Sequence, residues 1–141
     1  MIYFIFDTET TGLIKKALPL TAPEQPKILQ LAFMQVDSEN FEPQNIVSLY
    51  INHENLSIPQ EAKDIHHIDE EKCRLLGVTE SYALHIFERL WNQSDRHFAY
   101  NAQYDVDLIR CALLRLNRGE LVAKLGYTID VMEPFTNLCI S

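Results

Sequence analysis

Residues 1–12 read MIYFIFDTETTG. Residues 2–6 are apolar and aromatic, which predicts a buried strand, and the run stops at acidic residues. On an extended strand, residues i and i+2 point to the same face, so Asp7 and Glu9 project side by side at the strand's end. Two carboxylates that close repel, and each raises the other's pKa. The arrangement is costly unless a cation lies between them, and hard divalent cations such as Mg²⁺ or Mn²⁺ take oxygen ligands. The alternative is a solvated acidic turn after a strand. Thr10, Thr11 and Gly12 tilt the balance, because their hydroxyls and main-chain N–H groups suit a phosphate or sugar held at a tight turn.

Outward from this stretch, residues 12–27 contain Gly12, Pro19, Pro23 and Pro26 and read as a turn and long loop. ILQLAFMQV (28–36) and IVSLYI (46–51), joined by a turn at SENFEPQ, predict two more strands in an antiparallel meander. QEAKDIHHI (60–68) predicts a short helix, with Pro59 near its start and Ser57 as a candidate cap. DEEKCRLLG (69–77) predicts a second short helix closed by Gly77. Thr79 opens a longer helix whose Ala83, Ile86, Phe87, Leu90 and Trp91 follow the spacing of one face. HFAY (97–100) reads as a strand, and 102–117 as a helix with a stripe of Val106, Ile109, Leu113 and Leu116. A short helix over 119–124, a strand over GYTIDV (126–131) and a helix over 132–139 complete the chain. The order β-β-β-α-β-α-β-α predicts an α/β fold: a mixed five-stranded sheet with helices on both faces, and parallel pairing in the second half.

The 141 residues suffice for one domain, expected to span 1–141. With 47% hydrophobic and 23% charged residues, the chain reads as globular rather than disordered. The net charge of −8 counts against a protein that holds nucleic acid through its overall field. It does not exclude one that holds a strand end through bound cations. Lys15, Lys16, Arg96, His97 and Arg110 form either a small basic rim or ordinary solvated charges. MIYFIF is too short for a signal peptide or a membrane span, so a cytoplasmic chain without a membrane partner is expected. Cys73, Cys111 and Cys139 show no CxxC spacing and are expected as reduced thiols.

A second cluster is Tyr100-Asn101-Ala102-Gln103-Tyr104-Asp105, between a strand and a helix. Asn101 suits an N-cap. Asp105 falls in the first helical turn, where it either balances the helix dipole or serves as a ligand. Asp107 reads as a surface residue paired with Arg110.

Together, FDTETTG and YNAQYD resemble motifs I and II of the DnaQ-like (DEDD) 3′–5′ exonucleases, the family of the proofreading subunit of bacterial DNA polymerase III. The second motif is usually His-Asn-Ala-x-Phe-Asp-x-x-x-Leu. Here Tyr100 replaces the His, Tyr104 the Phe and Ile109 the Leu, while Asn101, Ala102 and Asp105 are kept. IPQEAKDIHHID (58–69) is similar to the segment between those motifs, and His66 matches the family histidine beside the substrate cleft. His67 and Asp69 depart from the usual Gly and Thr of that segment.

The resemblance implies a ribonuclease H-like fold, two Mg²⁺ or Mn²⁺ ions, and hydrolysis of the terminal phosphodiester at the single-stranded 3′ end of DNA or RNA. It implies Asp7, Glu9 and Asp105 as metal ligands and catalytic residues. Thr10, Thr11, Gly12, His66, Asn101 and Tyr104 would contact substrate, and a polymerase or another replication or repair protein would be a partner. The third motif, His-x4-Asp, supplies the family's fourth ligand and general base. No Asp stands five residues after His53, His66, His67, His85 or His97, and Tyr127 precedes Asp130 by too little for the Tyr-x3-Asp variant. Asp130 matches a family Asp beside the fifth strand, which is not that ligand. The expectation is a chain cut before its final helix and nearly inactive alone. The alternatives are a complete but inactive binding or protein-interaction module, and a different metal-dependent phosphoesterase.

Overall fold

The computed structural model describes residues 1–132. The apolar opening forms β1 (Ile2–Thr10), in which Phe4, Phe6, Thr8 and Thr10 are buried in alternation. β1 runs on past residue 6 because its antiparallel pairing with β2 (Ile28–Asp37) continues to the Thr10–Ile28 pair. Asp7 and Glu9 therefore lie on the strand itself. β2 pairs antiparallel with β3 (Pro43–Asn52), which completes the expected meander. The register shifts between Glu9 and Thr10, so β2 carries an extra residue there. Ile28 then joins the main core while Leu29 joins a second cluster with Ile58, Ile68 and Cys73.

The sheet has six strands in the order β4-β3-β2-β1-β5-β6, where β4 is Val78–Thr79, β5 is Arg96–Ala99 and β6 is Ile129–Asp130. β4, β5 and β6 each pair in parallel, as the alternation of strands and helices implied. The sixth strand is β4, two residues with no periodicity to betray them. Gly77 makes it possible: a Cβ there would stand 2.2 Å from the Cys73 carbonyl oxygen and 2.6 Å from the Asn52 nitrogen. The helices are α1 (Gln60–His66), α2 (Glu70–Leu76), α3 (Glu80–Asn92) and α4 (Ala102–Arg115). Thr79 caps α3 by accepting from the Tyr82 N–H.

The main core joins β1, β2, α3 and α4. Phe87 meets Phe4 edge-on at 5.0 Å and Phe6 at 5.4 Å, with Trp91 close to both. Val106, Ile109 and Leu113 of α4 are buried as their spacing predicted. Each large side chain buried here contributes about 1.5–3 kcal/mol. Strand β1 is thus fixed from one face, while Ile5 and Asp7 on its other face remain exposed.

Several local expectations change. α1 begins after Pro59 with no side-chain cap, so Ser57 does not cap it. Residues 124–127 form a 3₁₀ turn, which shortens the last described strand to Ile129–Asp130. The expected helix at 119–124 is a 3₁₀ turn over Gly119–Leu121. His97 joins no basic rim: its ring stacks on Trp91 at 3.7 Å and donates from Nε2 to the Trp91 carbonyl. Arg110 pairs with Asp107 at 3.5 Å, as expected. Cys73 and Cys111 are buried free thiols. Residues 133–139 of the expected last helix, and Cys139, lie outside the described residues. Among the described residues, no helix is long and apolar enough to cross a membrane.

Candidate active site

Strand alternation sends Asp7 and Glu9 to one face of β1 and Thr8 to the other. Asp7 is exposed and Glu9 half-buried. Burial first, and then the Asp7 charge, raise the Glu9 carboxyl above its ordinary value. Asp105 comes from α4 on the Thr8 side. It is only 2% exposed, and Thr8 Oγ1 donates to its Oδ1 at 2.5 Å. Burial, reinforced by Asp7 and Glu9 and opposed by the Thr8 hydrogen bond, pushes the Asp105 carboxyl up to about 7. Thr8 is the site residue that sequence reasoning missed. Its signal was present, since a hydroxyl between two outward carboxylates must face inward.

The turn after β1 is held from three directions. Thr10 Oγ1 donates to the Gly12 carbonyl at 2.9 Å and lies 2.7 Å from the Tyr104 hydroxyl, which also donates to the Gly12 carbonyl at 3.0 Å. Tyr104 thereby ties α4 to the turn, and burial pushes its phenol up. Thr11 bonds Lys27 twice, from its N–H to the Lys27 carbonyl and from the Lys27 N–H to its Oγ1, both at 3.0 Å. From α1, the His66 ring closes the third side. The Ile68 N–H donates to Nδ1 at 3.1 Å, so the hydrogen sits on Nε2 and donates to the Thr10 carbonyl at 3.0 Å. Both ring nitrogens are engaged, and His66 buttresses the cleft wall.

A cleft of about 480 Å³ opens beside this turn, lined by Glu9, Thr10, Leu13, Ile65, His66 and Tyr104 among others. A Cβ on Gly12 would meet no atom within 4 Å, so the turn's backbone is open to an approaching ligand. A larger cavity of about 590 Å³ lies elsewhere, between the end of α3 and residues 117–120. It is lined by residues such as His85, Arg89 and Arg118 and holds none of the sequence-predicted site residues. The smaller cleft is the candidate site because it contains Glu9, the reinforced turn and Tyr104.

Asn101 sits at the N-cap position of α4, but its side chain makes no capping bond. Its backbone is left-handed, with φ 54° and ψ 54°, a conformation that asparagine tolerates better than most residues. The expected capping role is therefore replaced by a turn-forming one. Among the described residues, no group of three or more His, Cys, Asp or Glu side chains is drawn together closely enough to hold a metal ion. Asp7 and Glu9 alternate on β1 with Thr8, which bonds Asp105, and both carboxylates lie near enough to raise the Asp105 carboxyl. The donor chemistry nevertheless fits a hard divalent cation, since all three groups are carboxylates and Asp105 is a costly anion as it stands.

A model of the RNase T-type exonuclease family matches residues 4–137, and the chain belongs to that family. The fold is that of exonuclease I. The product-bound structure of exonuclease I superposes with a TM-score of 0.76 at 18% identity, over 95% of this chain and 30% of that one. Escherichia coli exonuclease I in complex with a dT13 oligonucleotide gives a TM-score of 0.65 at 21% identity, over 81% of this chain and 24% of that one. An exonuclease I complex with the SSB C-terminus gives 0.64 at 21% identity, over 81% and 24% of the two chains. The chain spans less than a third of the length of these structures. No curated protein matches it.

Proposed function

We propose that this chain is a 3′–5′ exonuclease domain that hydrolyses the terminal phosphodiester of a single-stranded nucleic acid, in the manner of the DnaQ-like enzymes. The observation that supports this reading best is one juxtaposition. An outward Asp7/Glu9 pair stands on the same strand as Thr8, which holds the buried Asp105, beside a cleft whose backbone is open at Gly12. Single-stranded DNA is the first substrate to test, because the similar exonuclease I has been solved with a dT13 oligonucleotide.

Asp7, Glu9 and Asp105 would hold Mg²⁺ or Mn²⁺, which when bound supplies charge neutralisation at the scissile phosphate and an acidified water. The chain's own groups do the rest. Thr10, Thr11 and Gly12 present a fixed turn to the terminal nucleotide. Leu13, Ile65 and the Tyr104 ring give the cleft an apolar wall against which a base packs. His66, with both nitrogens engaged, keeps the turn in place rather than moving a proton.

Residues 1–141 contain no His-x4-Asp, the motif to which the resemblance assigns the general base, and these residues assayed alone are expected to be slower by roughly 10²–10⁴. The second reading is a binding module without catalysis. Calorimetric titration with Mn²⁺, together with digestion of 5′-labelled DNA and RNA oligonucleotides, separates the two. Binding heat that disappears in Asp7→Ala, with slow shortening from a free 3′ end, is expected. Absence of any Mn²⁺ binding would sink the nuclease reading. Cleavage of a nitrophenyl phosphate ester in preference to oligonucleotides would move the chain to another phosphoesterase class.

A further inference from the structure

Asp130 lies at the end of β6, where it pairs in register with Ala99 at the end of β5. Two residues beyond Ala99, Asn101 turns left-handed and α4 begins. A left-handed residue at a strand-to-helix junction is disfavoured on its own, and Asn101 receives no help from its side chain. Its main-chain N–H points instead to Asp130, donating to Oδ1 at 3.0 Å. The Met132 N–H donates to the same oxygen at 2.9 Å. One carboxylate oxygen therefore joins the two chain segments that leave adjacent strands. Three residues after Asn101 comes Tyr104, whose N–H bonds the Asn101 carbonyl at 3.2 Å. Next to it is Asp105, with only 2% exposure.

We propose that Asp130 is a positioning residue. Its Oδ1 fixes the left-handed turn at Asn101 and so sets where α4 delivers Tyr104 and Asp105. As far as Asp105 matters for function, this rests on the exonuclease reading above. The physical reason is leverage. A helix is stiff, so a change at its first residue is carried to the side chains of its first turn. The Tyr104 hydroxyl and the Asp105 carboxylate each bond β1-side groups at short range, to Gly12 and Thr8 respectively. A shift of about 1 Å there breaks both contacts, and misplacements of that size are known to cost on the order of 10²-fold in function. The carboxylate also opposes the positive end of the α4 dipole.

The test has a structural arm and a site arm, both on the full chain. Amide hydrogen exchange is followed at Asn101 and Tyr104, and Mn²⁺ affinity is measured by calorimetry. Asp130→Ala is expected to speed exchange at both amides by about tenfold and to weaken Mn²⁺ binding by about tenfold. Asp130→Asn keeps a side-chain carbonyl that accepts the same two bonds, and is expected to restore both readouts to within about threefold. Unchanged exchange in Asp130→Ala overturns the proposal. Asp130→Asn falling as far as the alanine variant also overturns it, because charge and not acceptor geometry would then be at issue. Where Asp130→Ala is too unstable to study, Asn101→Ile strains the same turn from the other side, and retained protection at Tyr104 in that variant overturns the proposal equally. Should the native chain bind no Mn²⁺, the exonuclease reading falls, while the exchange arm still decides the role of Asp130.

Discussion

The end of β1 and the start of α4 contribute carboxylates to one neighbourhood, and they do so in opposite ways. Asp7 and Glu9 are carried by a paired strand, face away from the main core and meet solvent. Asp105 is carried by a helix, is buried, and has a single side-chain donor in Thr8. Within the strand-borne pair Asp7 meets solvent, while half-buried Glu9 is raised by burial and by the Asp7 charge. The helix-borne carboxylate is expensive to ionise, and its carboxyl titrates near 7 instead of 3.8. Burial thus sets the two regions apart, and on the proposed reading cation affinity and pH dependence would reside in different members of the set. On the proposed reading, Asp7 and Glu9 would recruit the cation and Asp105 would respond to its charge.

The largest expected effect tests the buried member. Between 3.8 and about 7 the folded chain keeps a proton on Asp105 that the unfolded chain has released. Its contribution to stability is therefore full below 3.8 and is lost as pH rises through about 7. The shift corresponds to roughly 4 kcal/mol. Between pH 5 and pH 8 roughly 3 kcal/mol of this should disappear in urea denaturation of the native chain and not of Asp105→Asn, and Mn²⁺ at pH 8 should restore part of it. Equal pH slopes for the two chains would show that the burial of Asp105 carries no such cost.

The strand-borne pair is tested next. Asp7→Ala should weaken Mn²⁺ binding by on the order of 10²-fold, since changes to mere outer-shell partners already cost 10–100-fold. It should leave the pH slope of stability much less altered than Asp105→Asn does. A smaller effect follows from the one bond between the two regions. Thr8→Val removes the donor to Asp105 at nearly constant volume, and should destabilise the chain by about 1–3 kcal/mol above pH 7 and by less at pH 5. The smallest concerns the second tie between α4 and the turn. Tyr104→Phe loses the hydroxyl that meets Thr10 and Gly12, and a stability loss of about 0.5–1.5 kcal/mol is expected from denaturation midpoints. No loss in that variant would mean that Thr10 alone holds Gly12.

Much of this was legible along the chain, and the limits have physical causes. The meander, α3 and α4 were readable because their apolar residues repeat with the period of a strand or a helix. Asp7 and Glu9 were readable as a side-by-side pair because strand alternation is local. β4 was not, because two residues carry no period and exist as a strand only where Gly77 lets them approach Ile51 and Asn52. The role of Asn101 was misplaced for a related reason. Asparagine suits both an N-cap and a left-handed turn, and what distinguishes them is an acceptor 29 residues away on Asp130.

Local pattern along the chain therefore sets the inventory and the local geometry: one mixed sheet, two carboxylates sharing a strand face, and a third in the first turn of a helix. The condition of those groups came from long-range packing. It buried Asp105 against Thr8, engaged both nitrogens of His66, and used Tyr104 to fasten the turn at Gly12. Periodicity along a chain reports which way a side chain points. Solvation and hydrogen bonding depend on which distant segment arrives to meet it, and that is settled only when the chain closes on its core.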